Sequence, residues 1–240
     1  MQDSYTGMDV LQNIQRGYIM KIHIHNHNPL YFKFAEQLIT CSLRDIGYPL
    51  APVEDADVII SIQHGDAEHR VKYPEKKHVL LQVEDWIHRP NAGKVYGQLP
   101  FDKVWGFDKD NPYEDYFYMG YHPEMELNLA RETPVHDIGF LGGLSERRRI
   151  LKNTARNTFQ WLGGWKYKEA IDKCRTCRIQ MHVHQFEQTV FTPWDRYARF
   201  LHNRLFFVSE TCYCPMSSIQ MFQFEDYDNF MDHMLSYSNG

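Results

Sequence analysis

The sequence has 240 residues, of which 43% are hydrophobic and 15% aromatic, and its formal net charge is −5. This composition is sufficient for a folded core and excludes an intrinsically disordered chain. The longest apolar runs are too short for a membrane span, the first residues show no secretion signal, and five cysteines indicate reduced thiols, so we expect a cytoplasmic protein.

Short apolar strands separated by helical or long connections fill the first half of the chain. Strands are predicted at residues 21–25, 57–62, 78–83 and 103–107, and a helix at about 31–45. Buried runs of four to six residues in this arrangement are typical of a parallel sheet that is covered on both faces. Residues 1–19 are expected to form a loosely attached N-terminal extension.

The same pattern restarts near residue 135. Strands are predicted at 137–141, 159–162, 178–183, 205–208 and 221–224, and helices at 145–158, 193–202 and 226–237. Two such series predict an α/β protein with two Rossmann-like domains and a cleft between them. The predicted domains are residues 20–134 and 135–240.

The charge is divided between the halves. Residues 1–134 contain 13 Lys and Arg against 20 Asp and Glu, a net charge of −7. Residues 135–204 contain 13 against 6, a net charge of +7, and residues 205–240 contain five acidic and no basic residues. We expect the basic segment to face an anion.

Paired glycines follow the predicted strand at 137–141. Gly142 and Gly143 let backbone N–H groups approach a ligand closely, and Ser145 is suited to cap the helix that follows. Arg147 and Arg148 add guanidinium donors beside the positive end of that helix. The stretch predicts an anion site suited to a diphosphate, although paired glycines also occur in ordinary tight turns.

Polar residues also lie near the carboxyl ends of two later strands, where open α/β sheets bind ligands. His184 follows the strand at 178–183, and Glu210 follows the strand at 205–208 and can accept hydrogen bonds from ribose hydroxyl groups. Arg196, in the helix between them, can reach back to phosphate. For His182 we favour a hydrogen-bonded core histidine over a ligand-binding role.

Together these residues resemble the C-terminal domain of GT-B glycosyltransferases, nearest to the spore-maturation-like group and related bacterial and phage enzymes. The resemblance covers about residues 137–237, and the first half fits only as a generic nucleotide-binding fold. It implies a nucleotide-diphosphate sugar as donor and co-substrate, with no cofactor. The donor-binding residues would be Gly142, Gly143, Arg147, Arg148, His184, Arg196 and Glu210.

The resemblance also implies a metal-independent reaction, because the helix dipole and arginines would neutralise the leaving diphosphate. Two positions depart from the pattern: Arg199 replaces a frequent Glu, and His182 replaces a frequent Asn. The alternative is therefore a non-catalytic nucleotide-sugar-binding protein that kept the fold. The acceptor is left open between a nucleic acid, such as a modified phage DNA base, and a cell-surface glycan.

Glycosyl transfer needs a base for the acceptor or a group that stabilises an oxocarbenium-like state. Four polar residues follow strands of the first half and are the catalytic candidates: His64, Asp66, Glu84 and Asp85.

A zinc site made of cysteines is the metal alternative. Cys174 and Cys177 precede one predicted strand, whereas Cys212 and Cys214 follow its neighbour. In a parallel sheet this places the two pairs roughly 15 Å apart, at ~3.3 Å per residue. Because zinc requires every sulfur within ~2.3 Å, we expect no metal site.

Overall fold

The computed structural model of the chain describes residues 19–29, 32–63, 67–83, 101–106, 115–117, 120–127, 133–143, 145–146, 148, 159–162, 167–183, 194–210, 224–225, 229 and 232. Among these residues, no helix is long and apolar enough to cross a membrane.

The first half contains a parallel sheet of five described strands in the order β1-β2-β3-β4-β5. The strands are β1 (Ile22–Asn26), β2 (Val58–Ile62), β3 (Lys77–Leu81), β4 (Lys103–Gly106) and β5 (Asp115–Tyr116). The helices are α1 (Lys33–Asp45) and α2 (Ala67–Lys72). All but the first residue of β2 and of β3 is buried, as expected for central strands covered on both faces.

The second half contains another parallel sheet, with the order β10-β9-β8-β6-β7. Its strands are β6 (His136–Leu141), β7 (Phe159–Leu162), β8 (Cys177–His182), β9 (Phe207–Glu210) and β10 (Phe224–Glu225). Its helices are α3 (Tyr167–Cys174) and α4 (Trp194–His202). The chain runs from β6 outward to β7 and then returns to the other side of β6 as β8. The strand order therefore reverses between β6 and β8, and in open α/β sheets ligands bind at such a point, at the carboxyl ends of the strands.

The predicted α/β fold class with two Rossmann-like parallel sheets is confirmed, and β6 and β7 agree with the sequence analysis to within one residue. Strand β9 begins two residues later than predicted. The reason is the turn that ends α4, in which Arg204 has a positive φ of 53° and the amide of Leu205 donates to the carbonyl of Phe200. Because residues 203–205 close this turn, Phe206 remains half-exposed and the strand starts at Phe207.

Two α-helices, α2 and α3, and one strand, β5, were not predicted. Of the predicted helices at 145–158 and 226–237, Ser145, Glu146, Arg148, Asn229 and Asp232 are described, and all but Ser145 are helical. The domain bounds remain predictions, and residues 1–18 lie outside the described part of the chain.

Helix α1 joins the two halves through a shared apolar cluster. The ring of Phe34 is fully buried, with its centroid 4.8 Å from that of Tyr167 in α3 and 5.4 Å from that of His202 in α4. The Tyr167 hydroxyl donates to the carbonyl oxygen of Met125 over 2.7 Å and accepts from Asn203 over 2.7 Å. The segment at 122–127 is thus fastened to the second half.

Candidate functional site

The second sheet aligns three residues along its carboxyl edge. Phe140 lies opposite Met181, and His182 lies opposite Ser209. Continuing these registers places Gly142, Val183 and Glu210 in one row. Two strand spacings of ~4.8 Å then separate Gly142 from Glu210 by about 10 Å. Residues predicted to bind the diphosphate and the ribose, Gly142 and Glu210, therefore lie along one continuous edge at the strand-order reversal.

The two glycines of the turn have different surroundings. A Cβ atom on Gly142 would lie 2.9 Å from Cε1 and from Cζ of Phe140, and 3.5 Å from Nη1 of Arg148. A Cβ atom on Gly143 would have no neighbour within 4 Å among the described atoms. Packing therefore requires the first glycine, whereas the second borders open space.

Arg148 fastens this turn to the end of β8. Its side chain is buried, and Nε and Nη2 donate to the carbonyl oxygen of Val183 over 3.0 and 2.9 Å. Nη1 donates to the carbonyl oxygen of Gly143 over 3.0 Å. The backbone N–H of Arg148 donates to Oγ of Ser145 over 3.3 Å, so the predicted helix cap is confirmed. These contacts give Arg148 a structural role, and its contact with a diphosphate remains a prediction.

Arg196 and His182 meet at the same edge. Arg196 lies in the first turn of α4 and is half-buried, and its Nη1 donates to Nδ1 of His182. The prediction that His182 is a hydrogen-bonded core histidine is confirmed, because its side chain is only 1% exposed. The contact with Arg196 was not predicted, since residues 14 positions apart carry no local signal of pairing.

Glu210 is the last residue of β9 and is 7% exposed. The register of β9 with β10 places Glu225 beside it. A carboxylate is seldom buried to this degree without a polar partner. The burial fits a carboxylate that is held in a fixed orientation.

Six predicted site residues lie outside the described part of the chain: Arg147, His184, His64, Asp66, Glu84 and Asp85. The structure describes where the chain enters two of these stretches. Gln63 follows β2 and has a positive φ of 68°. Its backbone N–H donates to the carbonyl oxygen of Leu81 over 2.7 Å, and its side-chain Oε1 accepts from the backbone N–H of Val83 over 3.0 Å. The segments that lead to His64 and to Glu84 therefore start side by side.

A histidine pair that was not predicted lies at the carboxyl end of β1. Nε2 of His69, in α2, is 3.1 Å from Nδ1 of His25, and the two ring centroids are 4.3 Å apart. The alternating histidines at 23, 25 and 27 were the available signal, but nothing local to them indicates a partner 44 residues away.

Two of the four cysteines considered for zinc are described. Cys174 and Cys177 are both buried, and burial raises the pKa of each thiol. Cys212 and Cys214 lie outside the described residues. Within the described ranges, no group of three or more His, Cys, Asp or Glu side chains is placed to hold a metal ion.

No family model and no curated protein matches this sequence. Among solved structures, the chain is similar to T4 phage BGT in complex with UDP and Mn2+, with 12% identity and a TM-score of 0.57. The alignment covers 92% of this chain and 90% of that chain. The fold is GT-B. At this level of identity the likeness establishes the fold alone, and the placement within a spore-maturation-like or phage-type group remains a prediction.

Two further solved structures were compared. The glycotransferase of kitacinnamycin has 9% identity and a TM-score of 0.42, and the alignment covers 93% of this chain and 92% of that one. The NAD+-bound 3-phosphoglycerate dehydrogenase of Entamoeba histolytica has 11% identity and a TM-score of 0.25, with 92% and 91% covered. Likenesses this weak support no conclusion about the chain.

Proposed function

We propose that this protein is a glycosyltransferase that moves a sugar from a nucleotide-diphosphate donor to an acceptor hydroxyl group. The observation that carries the proposal is the position of the glycine turn, which lies where the strand order of the second sheet reverses. Ligands bind at such points in open α/β sheets. The GT-B fold, shared with a phage protein that was solved with UDP, supports this choice over other nucleotide-fold proteins.

The donor diphosphate would occupy the open space at Gly143, where backbone N–H groups and the start of the following helix favour an anion. Arg147, Arg196 and His184 would add donors around it. The carboxylate of Glu210 would accept hydrogen bonds from the ribose hydroxyl groups. The role of Arg148 in this arrangement is to hold the turn in place through its hydrogen bonds to Gly143 and Val183.

In the reaction, the bond between the anomeric carbon and the diphosphate oxygen breaks while the acceptor oxygen bonds to that carbon and loses its proton. The base that takes the proton would be one of His64, Asp66, Glu84 and Asp85. Guanidinium groups and the helix dipole would offset the charge that develops on the diphosphate. We therefore propose transfer without a divalent metal, and assays with EDTA and with added Mn2+ test that part directly.

A non-catalytic nucleotide-sugar-binding protein is the second candidate. Arg199 favours it, because many proteins that the sequence resembles have Glu at this position. The guanidinium of Arg199 is buried, with its central carbon 5.6 Å from the centroid of Phe34 in the junction between the halves. Release of nucleoside diphosphate from a nucleotide sugar identifies an enzyme, whereas saturable donor binding without release identifies a binding protein.

The experiment is a binding screen followed by one substitution. Nucleoside diphosphates and nucleotide sugars are first compared by thermal shift, since a ligand that binds only the folded protein raises its stability. Calorimetric titration then compares the wild-type protein with Glu210→Ala, which we expect to bind about 1–3 kcal/mol more weakly because a charged hydrogen-bond acceptor is lost.

Glu169→Ala is the matched control, because Glu169 is an exposed glutamate of α3 that pairs only with the surface residue Lys173 among the ion pairs described. Circular dichroism shows whether each variant is folded. Wild-type affinity in folded Glu210→Ala would remove Glu210 from the site. No binding of any diphosphate to the wild-type protein would refute the proposed function.

A further inference from the structure

The hydrogen bond between Arg196 and His182 has a defined donor and a defined acceptor. A guanidinium group has five N–H donors and no acceptor, so Nδ1 of His182 must accept the hydrogen bond. The neutral imidazole ring then carries its proton on Nε2. The ring is 1% exposed at the end of β8, so its position is set by the packing of the sheet.

The backbone of His182 lies close to that of the proposed ribose-binding residue at the carboxyl end of the sheet, although their side chains project to opposite faces. His182 is opposite Ser209 in the register of β8 with β9, and Glu210 is the next residue along β9. One N–H of Arg196 is directed to His182, and a guanidinium group presents its other N–H groups in a rigid planar fork. A contact with His182 is therefore compatible with contacts to phosphate.

A long side chain loses rotamer freedom when it binds a ligand, and a residue that already holds it in the bound orientation removes part of that cost. We propose that His182 is a positioning residue of the donor site, which holds the guanidinium of Arg196 in the orientation that binds the donor diphosphate. This inference rests on the proposed function, in which Arg196 contacts the diphosphate.

The experiment separates phosphate binding from nucleoside binding. Calorimetric titration measures the dissociation constants of UDP and of uridine for the wild-type protein and for variants at both positions. The variants are His182→Leu, which removes the acceptor, His182→Asn, whose Oδ1 takes the place of Nδ1, Arg196→Ala and the double variant His182→Leu/Arg196→Ala.

His78→Leu is the matched control. His78 is also 1% exposed, and its Nε2 lies 2.9 Å from the carbonyl oxygen of Tyr73, but it belongs to the first sheet. It therefore reports the effect of removing a buried, hydrogen-bonded histidine away from the proposed site.

We expect His182→Leu to bind UDP about 3- to 10-fold more weakly while its affinity for uridine is unchanged. His182→Asn should remain within about twofold of the wild type, because the acceptor is kept. The double variant should bind UDP no more weakly than Arg196→Ala alone, since His182 acts through Arg196. His78→Leu should leave both affinities unchanged.

The inference is overturned if His182→Leu weakens UDP and uridine equally, or if the losses in the double variant add. If His182→Leu does not fold, His182→Ala is measured in its place, because it also removes the acceptor of the hydrogen bond from Arg196. A loss of UDP affinity with unchanged uridine affinity supports the inference, whereas wild-type affinity overturns it. These outcomes leave the proposed function intact as long as wild-type protein binds UDP and Glu210→Ala binds it less well.

Discussion

The same substitution at two adjacent glycines should have opposite effects on stability. In Gly142→Ala, the new methyl carbon would lie 2.9 Å from two ring carbons of Phe140, whereas carbon atoms pack at about 3.5–4.0 Å. The ring is fully buried, and the hydrogen-bonded guanidinium of Arg148 lies 5.0 Å from its centroid. Because the ring has little room to retreat, the substitution overpacks the site.

Overpacking of this kind costs about 1–3 kcal/mol. Replacing glycine by alanine also restricts the unfolded chain, which stabilises the fold by about 0.4–1 kcal/mol. Gly142→Ala should therefore lower the free energy of unfolding by about 1.3 kcal/mol, the difference between the midpoints of these two ranges. Gly143→Ala meets no described atom and its φ lies outside the left-handed region, so it should stabilise by about 0.4–1 kcal/mol.

Urea unfolding, followed by both fluorescence and circular dichroism to test for a two-state transition, measures these differences. At about 2–4 °C per kcal/mol for a chain of this size, the two variants should also differ visibly in melting temperature. Under the proposed function, the methyl group of Gly143→Ala enters the diphosphate space and weakens UDP binding although the protein is more stable. Equal stability of the two variants would refute the packing argument.

Two further predictions concern pH and the core of the second sheet. Burial lowers the pKa of His202 below its usual value, and its neutral ring accepts the backbone N–H of His122 over 2.8 Å. An unfolded histidine titrates near pH ~6.5, so the free energy of unfolding should fall as the pH drops below that value. Urea midpoints measured between pH 5 and 8 should show a smaller decrease in His202→Gln, and equal slopes would contradict this assignment. A Cβ atom on Gly139 would lie 2.5 Å from Sγ of Cys177, so Gly139→Ala should destabilise by about 1–3 kcal/mol or more. Cys177→Ala makes room for that methyl group, so the double variant should lose less stability than the two single losses combined, and additive losses would exclude the clash.

Local sequence patterns were sufficient to predict most strands of the two sheets. Strand β2 was predictable because it is a short run in which four of the five residues are the β-branched Val58, Ile59, Ile60 and Ile62, and such a run favours a buried strand. Helix α3 carried a signal that was overlooked: Tyr167, Ala170, Ile171 and Cys174 are buried at helical spacing. The helix has only eight residues, and so short a pattern is easily taken for a connection.

The candidate site likewise has some features that the local sequence predicts and others that only the tertiary structure determines. The glycine turn and its Ser145 cap were predictable because the requirement for a small residue and for a capping oxygen is met within a few residues of sequence. The direction of the Arg148 guanidinium was not predictable, because it depends on the carbonyl of Val183, 35 residues further along the chain. Chain-local chemistry thus determined where the glycine turn lies, and only the pairing of β6 with β8 decided which arginine supports that turn. The physical reason is that a long side chain takes its hydrogen bonds from whatever the fold brings near it, and sequence spacing does not record that distance.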